Sequence, residues 1–124
     1  IAFFERVTPL QDHDSFEAAY LALFGLSAAL MEADYESFCS SVMDLQSTKW
    51  KSLEWSEYDN ALRDISHRLR SLGADCVGLS SLGPMLFAFG DEATLERLAD
   101  DSASLDARII RTRPSNHGRR LLST

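Results

Sequence analysis

The fold is decided by the stretch Asp75-Cys76-Val77-Gly78-Leu79-Ser80-Ser81-Leu82-Gly83-Pro84-Met85-Leu86-Phe87-Ala88-Phe89. Two short apolar runs, at 75–79 and 85–89, stand on either side of a segment of Ser, Gly and Pro residues. Short apolar runs bounded by turn-forming residues are typical of β-strands. The pattern therefore predicts two strands joined by a turn over residues 80–84.

Three helices are predicted before this pair of strands, because apolar residues recur there at helical spacing. The first begins at Asp14 with an Asp-x-x-Glu capping box and has a wide apolar face, which predicts strong burial. Asp34 caps the second helix. The third begins near Ser56 and ends at Gly73, where a left-handed cap is expected.

Further elements are predicted at both ends of the chain. Residues 2–7 and 107–112 read as short strands, ended by Pro9 and Pro114 respectively. A short helix over 91–98 carries acidic residues in its first turn. The predicted order is therefore β-α-α-α-β-β-α-β.

This order predicts an α+β domain, with an antiparallel sheet of about four strands packed against helices on one face. The 124 residues, 45% of them hydrophobic, suit one domain spanning 1–124. No apolar run approaches the roughly 20 residues that cross a membrane, so we expect a soluble, cytoplasmic protein. The chain begins without Met inside a predicted strand, and we expect it to be a piece of a longer protein.

Charge is distributed unevenly along the chain. The formal net charge is -7, which argues against general binding to nucleic acid or to anionic membranes. All nineteen acidic residues lie within 1–106, whereas residues 107–124 hold five arginines and no acid. The basic end either balances the acidic body or binds phosphate or carboxylate groups, which suit the arginine fork.

Neither the cysteines nor the histidines form a metal-binding pattern. Cys39 and Cys76 are 37 positions apart and belong to no CxxC motif, and we expect buried free thiols. The three histidines fall on different predicted elements. We therefore assign no residue to a metal.

The turn at Gly78, Ser80, Ser81 and Gly83 is the first candidate binding site. Glycines allow close approach of the backbone, and successive amides with two hydroxyls can hold a phosphate or carboxylate. The turn leads into a strand, which excludes a P-loop and a dinucleotide-binding loop, and neither serine has the spacing of a nucleophile elbow. The alternative is a tight hairpin whose glycines only provide positive φ.

Two other sets of residues are candidates. Arg111 and Arg113 would project from one face of the last predicted strand, near a turn containing Asn116. The second set is weaker, and its alternative interpretation is a core tryptophan flanked by solvated lysines. It consists of Gln46, Lys49, Trp50 and Lys51.

Together these segments resemble the GHMP superfamily. The stretch Gly-Leu-Ser-Ser-Leu-Gly-Pro at 78–84 is similar to its third motif, in the branch of the ribofuranosylaminobenzene 5'-phosphate synthases. Gln46 with Trp50-Lys51, and the closing Thr-Arg-Pro-Ser-Asn-His-Gly at 112–118, support the likeness. It implies the C-terminal half of a two-domain enzyme, whose N-terminal GHMP domain carries the main phosphate loop.

The resemblance implies condensation of phosphoribosyl pyrophosphate with 4-aminobenzoate, with release of pyrophosphate and carbon dioxide. It implies small anionic substrates and no cofactor held by this chain, with Mg²⁺ accompanying phosphoribosyl pyrophosphate in the longer enzyme. A GHMP-type small-molecule kinase that uses ATP is the alternative enzyme. A non-catalytic ligand-binding or dimerisation module, in which residues 1–4 pair between subunits of a homodimer, is the alternative outside catalysis.

Overall fold

A computed structural model describes residues 2–114 and shows an α+β arrangement that is mostly helical. Two strands, β1 and β2, follow six helices and one π-helical segment, and a seventh helix and a 3-10 turn come after them. In chain order the elements are α1 (Ala2–Val7), α2 (Asp12–Tyr20), π1 (Leu21–Ser27), α3 (Ala28–Glu32), α4 (Tyr35–Ser47), α5 (Lys49–Trp55), α6 (Asn60–Ser71), β1 (Cys76–Leu79), β2 (Leu86–Phe89), α7 (Glu92–Asp100) and the 3-10 turn Asp101–Ser104.

The two central strands form the predicted hairpin. They are antiparallel, with Cys76 opposite Phe89 and Leu79 opposite Leu86. All four residues of β1 are buried, because helices cover both faces of the strand. Val77 packs with residues of α6 and α7, whereas Cys76 packs with residues of α4. The prediction of helices on one face only was therefore wrong.

The sheet has two strands within residues 2–114, where about four were predicted. Residues 2–7 form helix α1, whose Phe3 and Phe4 contact Trp50 with ring centroids 5.8 and 5.7 Å apart. Residues 107–112 form no strand, because Arg111 and the following residues are bound to the start of α7 rather than to β2. Strand propensity depends on an available neighbour, and neither segment pairs with a strand within residues 2–114.

The predicted first helix is divided into α2, π1 and α3. Helix α2 begins at Asp12 after Gln11, so the capping box expected at Asp14 does not form. Gly25 lies in π1 against α4, where an added Cβ would stand 2.7 Å from Ser41 Oγ. A side chain at position 25 would therefore collide with Ser41, which a glycine avoids.

The expectation that this helix is strongly buried was wrong. One face packs on α4, but six large apolar side chains on the other face are at least 63% exposed. We call this surface the apolar stripe; it consists of Phe16, Tyr20, Leu23, Phe24, Leu30 and Met31.

Local helix signals were confirmed at two positions. Asp34 caps α4 by accepting a hydrogen bond of 3.0 Å from the amide of Ser37. Gly73 follows α6 with a φ of 106°, the left-handed region that glycine adopts without strain. The helix boundaries between these two positions differ from those predicted. Thr48 separates α4 from α5, and α6 begins at Asn60, after its cap Asp59, rather than near Ser56.

Candidate functional site

The turn between β1 and β2 is closed by two backbone hydrogen bonds. The amide of Ser80 donates to the carbonyl of Met85, and the amide of Gly83 donates to the carbonyl of Ser80, both over 2.9 Å. Ser81 and Gly83 have φ values of 49° and 71°. The serine at 81 therefore adopts the left-handed conformation that is found in anion-binding nests of backbone amides.

Three side chains from α4, α5 and the following loop hold this turn on its inner side. Gln46 Oε1 accepts a 2.9 Å hydrogen bond from the amide of Leu79. Lys51 Nζ donates to the carbonyls of Leu79 and Ser81, over 2.9 and 3.3 Å. The hydroxyl of Tyr58 donates to the carbonyl of Leu82. The structure thus brings the turn together with Gln46 and Lys51, which the sequence suggested as separate candidates.

Glu54 completes this support and was missed in the sequence. Its side chain is almost fully buried, with 3% of the residue exposed, and it accepts from Lys51 Nζ over 2.5 Å and from Trp50 Nε1 over 2.7 Å. The i, i+3 spacing of Lys51 and Glu54 on one helix was the available signal. The alternative of solvated lysines holds for Lys49, which is exposed, but not for Lys51.

Planarity of the peptide bond fixes the direction of the remaining amides. The carbonyl of Ser81 lies toward Lys51, so the amide of Leu82 in the same trans peptide is directed away from it. The carbonyl of Ser80 accepts within the turn, so the amide of Ser81 is directed outward. No acceptor within residues 2–114 engages either amide. With the exposed Ser81 hydroxyl, they form a donor surface suited to an anion.

Gly78 is not part of this donor surface. It is buried in β1, and an added Cβ would stand 2.4 Å from Phe87 Cζ and 2.9 Å from Gln46 Nε2. The glycine therefore allows Phe87 and Gln46 to pack across the strand. Gly83 is also confined, since a Cβ there would approach Leu79 and Tyr58.

The arginines of the C-terminal segment lie elsewhere. Arg111 and Arg113 bind the two carboxylate oxygens of Glu92, over 2.5 and 2.7 Å. The positive charge of Arg113 is the main cause that lowers the pKa of Glu92 below its ordinary value, and the hydrogen bond from Arg111 is the second. Glu92 follows the end of β2 that is opposite the turn, so the arginines and Ser81 do not form one site in the described residues. Asn116 lies outside the described residues.

Residues 2–114 contain neither a metal-binding cluster nor a membrane-spanning helix. Within residues 2–114, no three His, Cys, Asp or Glu side chains are grouped so that they could hold a metal ion, and none is assigned to Mg²⁺. None of the helices described between residues 2 and 104 is both long and apolar enough to cross a membrane.

Comparison with known proteins shows similarity to synthases. No protein-family model matches the chain. Three curated proteins named beta-ribofuranosylphenol 5'-phosphate synthase are similar to it. The protein of Methanothermobacter thermautotrophicus is 30% identical over 92 residues, which are 74% of this chain and 28% of that protein. Those of Archaeoglobus fulgidus and Methanocaldococcus jannaschii are 27% and 25% identical, over 95% and 98% of this chain and 38% and 37% of their own lengths. The chain is therefore homologous to a domain-sized part of these synthases and spans between 28% and 38% of their lengths.

Proposed function

We propose that the chain is the C-terminal domain of a GHMP-type synthase that joins a ribose 5-phosphate unit to an aromatic ring. The observation that carries the proposal is the turn at 80–83, which has outward amides and two serine hydroxyls and whose backbone carbonyls are held by Lys51 and Tyr58. A phosphate needs several fixed donors, and the amides of Ser81 and Leu82 with the serine hydroxyls would provide them. The similarity to three synthases supports the same assignment.

The proposed reaction forms a carbon-carbon bond between the anomeric carbon of phosphoribosyl pyrophosphate and the ring carbon that bears the carboxylate of the aromatic acid. Pyrophosphate leaves from the anomeric carbon, and carbon dioxide leaves from the ring. Negative charge develops on the departing pyrophosphate, and fixed amide donors stabilise such charge. In this proposal Ser80, Ser81 and the amide of Leu82 bind the phosphoribosyl substrate.

Two aromatic acids are candidates for the second substrate. The resemblance of the turn implies 4-aminobenzoate, whereas the similar proteins are named for a ribofuranosylphenol product. The corresponding acid for a phenol product is 4-hydroxybenzoate. The two acids differ in one ring substituent, and comparing their turnover by the complete enzyme distinguishes them.

We further propose that the apolar stripe contacts the N-terminal domain of the longer enzyme. Six large apolar side chains at least 63% exposed form a surface of the kind that marks protein contacts. Residues 7–48, which include the stripe, contain seven acidic residues and neither Lys nor Arg. Two copies facing each other through the stripe would bring acidic borders together, so a separate apolar surface bordered by Lys or Arg is the better partner.

Sedimentation of the chain at low and high salt tests this partner. We expect no dimer through the stripe at low salt, because the acidic borders repel each other. Phe24→Glu should change neither the sedimentation nor the stability, since Phe24 is 68% exposed. If the chain forms a dimer and Phe24→Glu dissociates it, the stripe is a homodimer interface and the proposed domain contact is overturned.

Calorimetric titration with phosphoribosyl pyrophosphate tests the proposed site. Replacing Ser80 and Ser81 together by alanine should weaken binding about tenfold, the effect of losing one or two hydrogen bonds to a charged group. Ser40→Ala, at an exposed serine on α4, is the matched control. Unchanged affinity of the double variant would overturn the role of the turn, and tighter binding of ATP than of phosphoribosyl pyrophosphate would favour a kinase.

A further inference from the structure

We propose that Lys51 is a positioning residue, which orients the turn for anion binding without touching the anion. The inference rests on the proposed function of the turn. The ammonium group of Lys51 binds the carbonyls of Leu79 and Ser81, the two carbonyls on either side of Ser80 along the chain. A lysine that faces a phosphate directly would have its ammonium on the same side as the amide donors.

The carbonyls that Lys51 binds determine which way the amides of the same peptide groups point. The Ser81–Leu82 peptide has its carbonyl on Lys51, so its amide is on the opposite side, where the anion would lie. The Leu79–Ser80 peptide likewise has its carbonyl on Lys51, and its amide closes the turn onto Met85. One ammonium group therefore fixes both the closure of the turn and the outward direction of the Leu82 amide.

Two further side chains, Glu54 and Tyr58, complete the contacts on the inner side of the turn. Glu54 neutralises Lys51 from within the protein, so the lysine adds little net charge to the outer surface. Tyr58 holds the next carbonyl, that of Leu82, with a neutral hydroxyl. The three inner carbonyl contacts thus come from one charged and one uncharged side chain. Removing the Tyr58 hydroxyl therefore tests whether the turn needs its carbonyls held, independently of any attraction between Lys51 and the anion.

Amide NMR spectra of the ¹⁵N-labelled chain, titrated with inorganic phosphate, test the inference. We expect phosphate to shift the amide signals of Ser81 and Leu82. Lys51→Met should weaken phosphate binding about tenfold, by analogy with the loss of a hydrogen bond to a charged donor. It should also accelerate hydrogen exchange of the Ser80 amide, which donates to the carbonyl of Met85, by about the same factor. Lys49→Met, an exposed lysine two residues away, is the matched control.

Tyr58→Phe provides the second variant, because it removes a carbonyl contact without changing any charge. It should also weaken phosphate binding. If Lys51→Met weakens binding and Tyr58→Phe does not, Lys51 acts by its charge and the positioning role is overturned. Unchanged exchange of the Ser80 amide in Lys51→Met overturns it as well.

The proposed function fails in a different way. If phosphate shifts neither the Ser81 nor the Leu82 amide in the unmodified chain, the turn is not an anion site. The exchange rate of the Ser80 amide in Lys51→Met still decides in that case whether Lys51 orients the turn.

Discussion

Replacing Glu54 by glutamine should destabilise the fold by about 3 kcal/mol, because it breaks a buried ion pair from one side. Glu54 is 3% exposed, and its two oxygens accept from Lys51 and from Trp50. A glutamine amide has one acceptor oxygen, so one of these two donors loses its partner. Removing one partner of a buried ion pair costs about 3 to 5 kcal/mol, and we expect the lower value here because Lys51 keeps two carbonyl acceptors.

Urea unfolding followed by circular dichroism measures this loss, and the melting temperature should fall by about 10 °C for a chain of this size. A double-mutant cycle with Lys51→Met identifies the cause. The double variant should be more stable than the sum of the two single losses predicts, by about 2 kcal/mol, because no uncompensated charge is left buried.

Glu57→Gln is the control for Glu54→Gln. Glu57 is an exposed residue that pairs with Arg6 at the surface, and its replacement should cost less than about 0.5 kcal/mol. A loss below about 1 kcal/mol in Glu54→Gln would refute a stabilising buried pair of Glu54 and Lys51. Simple additivity in the cycle would refute it too.

Three further changes have expected outcomes. Gly78→Ala should destabilise the chain by about 1 to 3 kcal/mol in urea unfolding, because the new Cβ would stand 2.4 Å from Phe87 Cζ; a neutral effect would contradict this packing. Gly73→Ala should cost about 1 kcal/mol in the same assay, since alanine is strained at a φ of 106°, and a gain in stability would contradict the cap. In an NMR titration the pKa of Glu92 should lie below its ordinary 4.5, so that its stabilising effect is present above that pH and is lost as pH falls through the lowered value. Arg113→Ala should move this pKa up toward 4.5, and an unchanged value would show that Arg113 is not its main cause.

Signals that act over a few residues were read correctly from the sequence. The cap at Asp34 and the positive φ at Gly73 depend on backbone groups within one turn of the helix. The hairpin over 76–89 depends on two apolar runs with a turn between them, and all of this information lies in one continuous stretch.

The predicted outer strands failed because a strand needs a neighbour that the local sequence does not specify. Residues 2–7 contain the aromatic residues that strands favour, but in the fold Phe3 and Phe4 contact Trp50 as parts of a helix. Apolar spacing over 14–31 correctly indicated helical structure. It did not show whether anything in this chain covers the outer face of that helix.

The sequence by itself determined the α+β character, the central hairpin and the serine turn as the most informative candidate, since these follow from local patterns. Tertiary structure alone decided which lysine matters. Lys49 and Lys51 are two residues apart on α5, yet Lys49 is exposed while Lys51 reaches the carbonyls of Leu79 and Ser81. Residues two apart on a helix face different directions, and only the packing of α5 against the hairpin selects one of them.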